Sequence, residues 1–209
     1  MKTVFALFCF GALALAAGPS VSMSINAPAH GPVEVIVRNH GNAPVTAYAY
    51  TLRWTGGSLD RFEDSALALD RRPVFPNAAE VRRPAGAGPH ATLEFHAALF
   101  ADGTNFGDPA WVARLTARRR YAAAVISDSH NRLAGGIAAK ASRETLAASF
   151  RSLANSRSGL ADADQQEVSR QLHERIAERL GKSTPAAQLR DLELLQQKLA
   201  EAQPNLAAN

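Results

Sequence analysis

The spacing of hydrophobic residues differs between the two parts of this chain, and that difference limits the possible folds more than any other feature. Between Val21 and about Ile126, apolar and polar residues alternate in several places, beginning with Val21, Met23 and Ile25. A period of two is typical of strands that bury one face. From about Ala141 onward, apolar residues recur every three or four positions, as in amphipathic helices. The chain is therefore expected to be mainly β in its first part and helical in its second.

Seven segments of the first part have the alternation or composition of strands. They are residues 21–26, 33–38, 45–54, 74–75, 79–82, 91–100 and 121–127. The turn-forming residues 39–44 predict a hairpin between the second and third segments. Several short strands separated by Gly, Pro and Asn turns favour an antiparallel, immunoglobulin-like β-sandwich over a parallel α/β sheet.

One helix is predicted to interrupt these strands. Asp108 has the residue type of an N-cap, and Pro109 follows it at the first helical position. The helix is expected to end at residues 118–120, where three arginines would favour a helix C-terminus. Residues 127–130 are then predicted to form a hairpin turn.

Three further helices are predicted in the second part, and the last two are expected to form an αα-hairpin. The predicted N-caps of the three helices are, in order, Ser142, either Asp162 or Asp164, and either Ser183 or Thr184. The last helix carries a narrow row of leucines, which we call the leucine seam: Leu189, Leu192, Leu195 and Leu199. Such a seam must contact the neighbouring helix, the sandwich or another chain, so self-association through the tail is one expectation.

The N-terminus has the pattern of a cleaved secretory signal. A short basic start is followed by an apolar run, and the small residues before position 18 suit cleavage after Ala17. Residues 18–20, Gly-Pro-Ser, end the run before the roughly 20 apolar residues that a membrane span needs. We therefore predict a signal peptide at 1–17, a sandwich domain at 18–138, a helical tail at 139–209, and a secreted or periplasmic location.

The chain has one cysteine, and it lies within the predicted signal. Cys9 lacks the small residues that precede the cysteine of a lipoprotein signal. Without it the mature chain would have no thiol, which excludes disulfides, zinc-thiolate sites, iron-sulfur clusters and a thiol nucleophile. No later segment is apolar enough to span a membrane, so no transmembrane segment is expected after cleavage.

None of the catalytic motifs that begin in this sequence is complete. His173 and Glu174 begin like the zinc-protease helix H-E-x-x-H, but Ala177 stands where the second histidine is required. Residues 181–183, Gly-Lys-Ser, lack the earlier glycine of a phosphate-binding loop, and no G-x-S-x-G elbow occurs. We therefore predict no catalytic residue and no cofactor, and the leading expectation is a protein that is not an enzyme.

No metal site is predicted either, although four dispersed residues are the candidates if one exists. Glu94 and His96 are two apart on a predicted strand and would share a face, and Asp102 and Asp108 follow it. An alternative reading is thus a hydrolase or metal-dependent enzyme with a site built from these residues. The favoured interpretation of residues 102–108 is structural: a turn, a positive φ at Gly107 and a helix cap.

The charge of the chain is modest and is supplied mostly by arginine. The formal net charge is +4, and 19 arginines stand against 4 lysines. The triplet Arg118, Arg119 and Arg120 is a possible contact for an anion or a partner, since guanidinium groups pair with phosphates and carboxylates. Nucleic acid is not expected as a partner of an exported chain with so small an excess.

Two segments of the chain carry distinctive turn motifs. The first is the segment 39–48, N-H-G-N-A-P-V-T-A-Y, and the second is the segment 102–109, D-G-T-N-F-G-D-P. These motifs resemble those of a family of uncharacterised exported bacterial proteins, particularly ones from acidobacteria. With Leu115 and the arginine triplet, the likeness covers about residues 33–120. The resemblance implies an immunoglobulin-like sandwich and export, and it implies no activity.

Together these observations favour an exported, non-enzymatic interaction or structural module of the cell envelope. Its partner would be a protein or another envelope component. The alternatives are the enzyme described above and a module that binds carbohydrate or an anionic polymer.

Overall fold

The structure is a computed structural model that describes residues 20–28, 30–156 and 162–202. The predicted signal at 1–17 lies outside the described residues. Within them, the chain forms two antiparallel sheets and four α-helices, which confirms that the fold combines strands with helices.

Seven strands make up the two sheets in the described part of the chain. The first sheet consists of β1 (Val21–Asn26), β2 (Glu34–Asn39) and β5 (Ala79–Arg82), in the order β1-β2-β5. The second consists of β3 (Val45–Trp54), β4 (Gly57–Asp64), β6 (Thr92–Phe100) and β7 (Asn105–Gly107), in the order β4-β3-β6-β7. The predicted strand at 74–75 is a single bridge between Val74 and Val45.

The predicted hairpin between β2 and β3 is wrong, because these strands belong to different sheets. The turn residues between them carry the chain from one sheet to the other. The Asn39 side-chain amide donates to the carbonyls of Ala43 at 2.9 Å and Val74 at 2.8 Å, while its Oδ1 accepts from the Gly41 amide at 2.9 Å. These bonds fix the crossing from within the turn.

β3 instead forms a hairpin with the next strand, β4. β4 was not predicted from the sequence. Trp54 pairs with Gly57 across a two-residue turn. Residues 59, 61 and 63 share the face of Tyr48 and Tyr50, and residues 60, 62 and 64 share the opposite face. Because charged residues occupy both faces, β4 shows no apolar alternation in the sequence.

The two faces of the second sheet pack against different neighbours. One face shares an apolar cluster with the first sheet, formed by Val21, Val35, Val37, Tyr48, Tyr50, Leu52 and Phe100 among others. The other face presents Ala47, Ala49 and Ala97 to Leu115 of a helix. Small side chains let that helix approach the sheet closely, so one helix covers this face.

That helix, α1 (Pro109–Ala138), is longer than predicted and follows the last of the described strands. The predicted strand at 121–127 and hairpin turn at 127–130 are both wrong, since both segments are helical, and the arginine triplet lies inside the helix rather than at its end. Buried residues recur at helical spacing through the segment: Leu115, Arg119, Ala122, Ile126, Ser129 and Leu133. Three consecutive alanines, strong helix formers, outweigh the β-branched pair Val125 and Ile126.

The predicted helices of the tail are all present: α2 (Arg143–Asn155), α3 (Ala163–Leu180) and α4 (Pro185–Glu201). Ser142, Asp162 and Thr184 are their N-caps. Although a short link joins α3 to α4, α3 packs mainly along α2 and α4 packs mainly along α1. No described helix is long and apolar enough to cross a membrane.

The leucine seam contacts the chain's own helices. Leu192, Leu195 and Leu199 are buried in a cluster to which all four helices contribute, and Leu189 packs against it partly buried. The seam is therefore covered within the chain, and it is not an open face of the tail.

Candidate functional site

A cleft of about 460 Å³ lies beside β4, between this strand and helices α1 and α3. Within the described residues β4 pairs with β3 alone, so its other edge is open. Five arginines line the cleft: Arg61, Arg71, Arg114, Arg118 and Arg175. Five carboxylates line it as well: Asp60, Glu63, Asp64, Asp164 and Glu167. Such a concentration of charge around one concave surface makes it the candidate site.

Asp164 at the start of α3 is held by two arginines of α1. Arg114 Nη2 donates to Asp164 Oδ1 at 2.9 Å, and Arg118 Nη1 donates to the same oxygen at 2.8 Å. Burial acts to raise the pKa of Asp164, but the hydrogen bonds and charges of these arginines outweigh it and lower that pKa. Both guanidinium groups also lie over the Phe62 ring, at 4.6 and 4.0 Å.

The other carboxylates of the cleft are paired in the same way. Each has an arginine within 4 Å: Asp60 with Arg114, Glu63 with Arg71, Asp64 with Arg119 and Glu167 with Arg170. The negative charges of the cleft are thus neutralised by partners in the chain.

Two arginines of the cleft have no such partner. Arg61 donates to the carbonyl of Ala85, and Arg175 Nη1 donates to the carbonyl of Leu67 at 2.7 Å. Among the described residues, neither guanidinium has a carboxylate within 4 Å. The cleft therefore contains two arginines without an ion-pair partner within 4 Å, although the charges of Asp70 and Glu178 act on Arg175 from a greater distance.

Arg175 borders a second cleft as well as this one. Arg175 is exposed overall; the burial of its guanidinium side lowers its pKa, and the charges of Asp70 and Glu178 oppose that shift. The same residue, with Arg71, also lines an adjoining cleft of about 520 Å³. The two arginines lie where the clefts meet.

The predicted arginine contacts have three different environments. Arg118 lies in the cleft, Arg120 is exposed, and Arg119 is only 2% exposed. Arg119 binds both oxygens of Asp64, at 2.7 and 2.9 Å, and also donates to the Thr46 hydroxyl and the Ala202 carbonyl. The triplet is therefore no continuous anion-binding patch, because a helix points successive side chains in different directions.

His96 and Glu94, two of the dispersed candidates, have structural partners. The His96 ring stacks on Trp111 with centroids 3.9 Å apart, and its Nε2 lies 2.6 Å from the Thr51 hydroxyl, which donates to Asp60 at 2.8 Å. Glu94 pairs with the exposed Arg53 at 3.1 Å. The hydroxyl sits between the histidine and the carboxylate, which is not the order of an acyl-transfer triad.

Asp102 and Asp108, the other two candidates, are turn and cap residues. Hydrogen bonds from the hydroxyl and amide of Thr104 lower the pKa of Asp102. Asp108 accepts from the amide of Ala110 at 2.7 Å at the start of α1, and Gly107 has a φ of +108°. The structural interpretation of residues 102–108 is thus confirmed. In the described parts of the chain, no three His, Cys, Asp or Glu side chains form a metal-binding group.

Arg61 and Arg175, which distinguish this cleft, were not recognised from the sequence. One lies on β4 and the other on α3, so no local motif connects them. An arginine of the cleft is neutralised or left unpaired according to whether a carboxylate from a distant part of the chain lies beside it. The spacing of residues in the sequence does not show which of these pairs form.

Comparison with known proteins adds no identity: no family model, no curated protein and no solved structure matches this chain. The functional argument therefore depends on the geometry of the cleft.

Proposed function

We propose that this protein is an exported, non-enzymatic binding module of the cell envelope, and that its cleft receives an anionic component of that envelope. The observation that carries the proposal is the asymmetry of charge in the cleft. Each of its five carboxylates has an arginine partner, whereas Arg61 and Arg175 have none.

The chemistry of arginine favours this ligand class. A guanidinium group presents donors in a planar fork that matches the oxygens of a phosphate, sulfate or carboxylate. The attraction is stronger in a concave, partly dehydrated site than on an open surface, because the effective dielectric constant is lower there. A repeated anion, as in an acidic polymer, would contact both arginines along the cleft.

Export and an immunoglobulin-like sandwich belong to the same proposal. The N-terminal pattern at 1–17 supports export, and the apolar cluster shared by the two antiparallel sheets supports a sandwich. Cell fractionation and mass spectrometry of the protein from its host test export. We expect a chain that begins after Ala17, and a cytoplasmic chain that retains residues 1–17 would contradict it.

Binding is tested by chromatography on heparin, an anionic polymer. In Arg175→Gln the cleft loses an unpaired cation, so we expect elution at a lower salt concentration than for the wild-type protein. Arg190→Gln is the matched control, since Arg190 is exposed, as Arg175 is, but lies on α4 and does not line the cleft. Equal shifts for the two variants would show attraction to net charge alone and would overturn the proposal.

Crosslinking in the native envelope tests the location of the ligand. A photo-crosslinking residue at Gln171, which lines the cleft, is compared with one at Gln197, which is exposed on α4. We expect an anionic envelope component crosslinked from position 171 alone and competed by heparin. Point substitutions suit this test better than deletion of the tail, because α4 buries Leu192 and Leu199 in the helical cluster.

A further inference from the structure

Two hydrogen-bond donors are buried without a partner on the inner face of the β3–β4 pair, which is the face that packs against the first sheet. Tyr50 is 0% exposed, and its hydroxyl has no hydrogen-bond partner. The Nε of Arg61 is buried and unpartnered as well. The two residues are direct cross-strand neighbours, so their side chains lie on the same face. Buried polar groups in folded proteins are nearly always paired, so this combination needs an explanation.

The charges around the Tyr50 hydroxyl indicate what kind of partner would fit. Burial raises the pKa of Tyr50, and the positive charges of Arg61, Arg82 and Arg71 each oppose that rise. Arg71 is paired with Glu63, and Arg82 is paired with Glu80. Three positive and two negative charges leave one positive charge, which belongs to Arg61.

The hydrogen-bonding character of the two unpartnered groups limits the class of ligand further. An arginine Nε–H only donates, and a tyrosine hydroxyl can donate as well as accept, so a single acceptor can satisfy both groups. Arg82 is already engaged, since its Nε donates to the Tyr48 hydroxyl at 3.2 Å. The group that would satisfy both donors is therefore an acceptor, and the local charge favours one that is negative.

This cluster adjoins the candidate cleft through its charged side chains, whereas Tyr50 itself is not among the residues that line the cleft. Arg61, Glu63 and Arg71 line the cleft and also belong to the charged group around Tyr50. An anion bound from the cleft would reach the inner face of β4 past these side chains. A compact oxyanion group satisfies this geometry, since it offers several acceptor oxygens on one small centre.

We propose that the Tyr50 hydroxyl and Arg61 Nε, assisted by Arg71, form a binding site for a single oxyanion group of the cleft's ligand. This inference rests on the proposed function, because it names the chemical group that the cleft recognises. Sulfate, phosphate and carboxylate share the required chemistry. The hydroxyl and the guanidinium donate, and the oxyanion accepts and neutralises Arg61.

The test uses the purified full chain, with sulfate as the probe and chloride at equal ionic strength as the reference. We expect sulfate to raise the melting temperature of the wild-type protein and to shift the Arg61 Nε–H resonance in NMR spectra. In Tyr50→Phe the sulfate affinity should fall at least about tenfold, because a hydrogen bond to a charged group is lost. In chloride this variant should melt at or above the wild-type temperature, since no buried hydroxyl is left unpaired.

Arg61→Gln provides a second variant that removes the other donor, and it should also lose sulfate binding. Arg83→Gln is the matched control, because Arg83 is exposed and paired with Glu34 outside the cleft. Equal sulfate affinity in the wild-type protein and Tyr50→Phe would overturn the proposal. So would a sulfate effect no larger than that of chloride.

Methyl phosphate and acetate, titrated in parallel, distinguish a phosphate-type ligand from a carboxylate. The outcome also separates this inference from the proposed function. If heparin retention depends on Arg175 while sulfate has no specific effect, the cleft binds anions without the Tyr50 site. If sulfate binds through Tyr50 while Arg175→Gln elutes like Arg190→Gln, the site exists but the cleft is not the polymer-binding surface.

Discussion

Three neighbouring arginines on α1 show how strongly the environment of a residue determines its role. Arg118 pairs with Asp164 in the cleft, Arg119 is buried on Asp64, and Arg120 is exposed. Arg119 joins three elements, because it also donates to Thr46 on β3 and to the carbonyl of Ala202 just after α4. Its side chain therefore connects α1 to the second sheet and to the C-terminal end of α4.

Arg119→Ala is therefore expected to destabilise the protein by about 3–5 kcal/mol, since it leaves the Asp64 carboxylate buried without its partner. Arg120→Ala, at the next position, should change stability by no more than about 0.5 kcal/mol. The free energies of unfolding come from urea denaturation. A cost below about 1 kcal/mol for the first variant would show that Asp64 is solvated when Arg119 is absent.

His173 on α3 is a buried histidine in the helical part. It is 6% exposed, its Nε2 has no partner, and Ser169 lies 3.3 Å from its Nδ1. Burial lowers its pKa below 6.5; the charge of Asp128 opposes this shift and that of Arg132 adds to it. The unfolded chain thus takes up a proton at a higher pH than the folded chain does.

By linkage, stability should be full above pH 6.5 and should decrease as the pH falls from about 6.5 toward the folded-state pKa. In His173→Gln this part of the pH dependence should be absent, as measured by urea midpoints between pH 7.5 and 5. His30→Gln, at an exposed histidine, should keep the wild-type profile. An unchanged profile in His173→Gln would mean that His173 is not responsible.

At the scale of elements, α1 is the central feature, because it contacts both the second sheet and the other helices. Leu115 near its start packs on the alanine face of the sheet, and Leu133 near its end lies in the helical cluster. The helix contains two consecutive glycines near its C-terminus, Gly135 and Gly136. A Cβ at Gly135 would meet no atom within 4 Å, whereas one at Gly136 would lie 2.4 Å from Leu146 Cδ2.

Gly135→Ala is accordingly expected to stabilise the protein by about 0.5–1 kcal/mol, because alanine reduces the backbone entropy lost in the helix. Gly107→Ala, just before α1, should destabilise it. There a Cβ would lie 2.1 Å from the His96 carbonyl oxygen, on a backbone with a φ of +108°. Thermal and urea unfolding check both values, and a destabilising Gly135→Ala would indicate that α1 is interrupted at this glycine.

At the scale of the whole molecule, the sheets and helices form one connected structure. One apolar cluster lies between the sheets, a second between the second sheet and α1, and a third among the helices. Side chains of α1 belong to two of them, and Arg119 adds a polar connection. The described strands and helices are therefore expected to unfold together.

Leu115→Ala tests this coupling, since Leu115 is 2% exposed and lies at the junction of the second sheet with α1. We expect a loss of about 2–5 kcal/mol and coincident transitions by far-ultraviolet dichroism and by tryptophan fluorescence. Both tryptophans belong to the sheet side of the molecule: Trp54 ends β3, and Trp111 packs on Phe62. Separate transitions for the two signals would show that the helices unfold independently of the sheets.

The elements that sequence reasoning predicted well are those with local signals. Alternating valines predicted β2, and the β-branched and aromatic run predicted β3. The caps predicted at Ser142, and at Ser183 or Thr184, gave the starts of α2 and α4. The strand β4 was missed because its charges lie on both faces. The segment 121–127 is helical, contrary to the predicted strand, because three alanines precede its β-branched pair and the helical spacing of apolar residues continues beyond it.

The amino-acid sequence was sufficient for the period of β2, β3 and the helices of the tail, for the helix caps and for the Asp102–Asp108 turn, because each depends on residues within a few positions of one another. Only the tertiary structure separated β2 from β3, buried the leucine seam, and divided the arginines into neutralised and unneutralised ones. Those outcomes depend on which groups, distant in the chain, come close together in the partly buried regions of the fold, as Arg61 and Tyr50 do on neighbouring strands. The spacing of residues along the chain does not show that proximity.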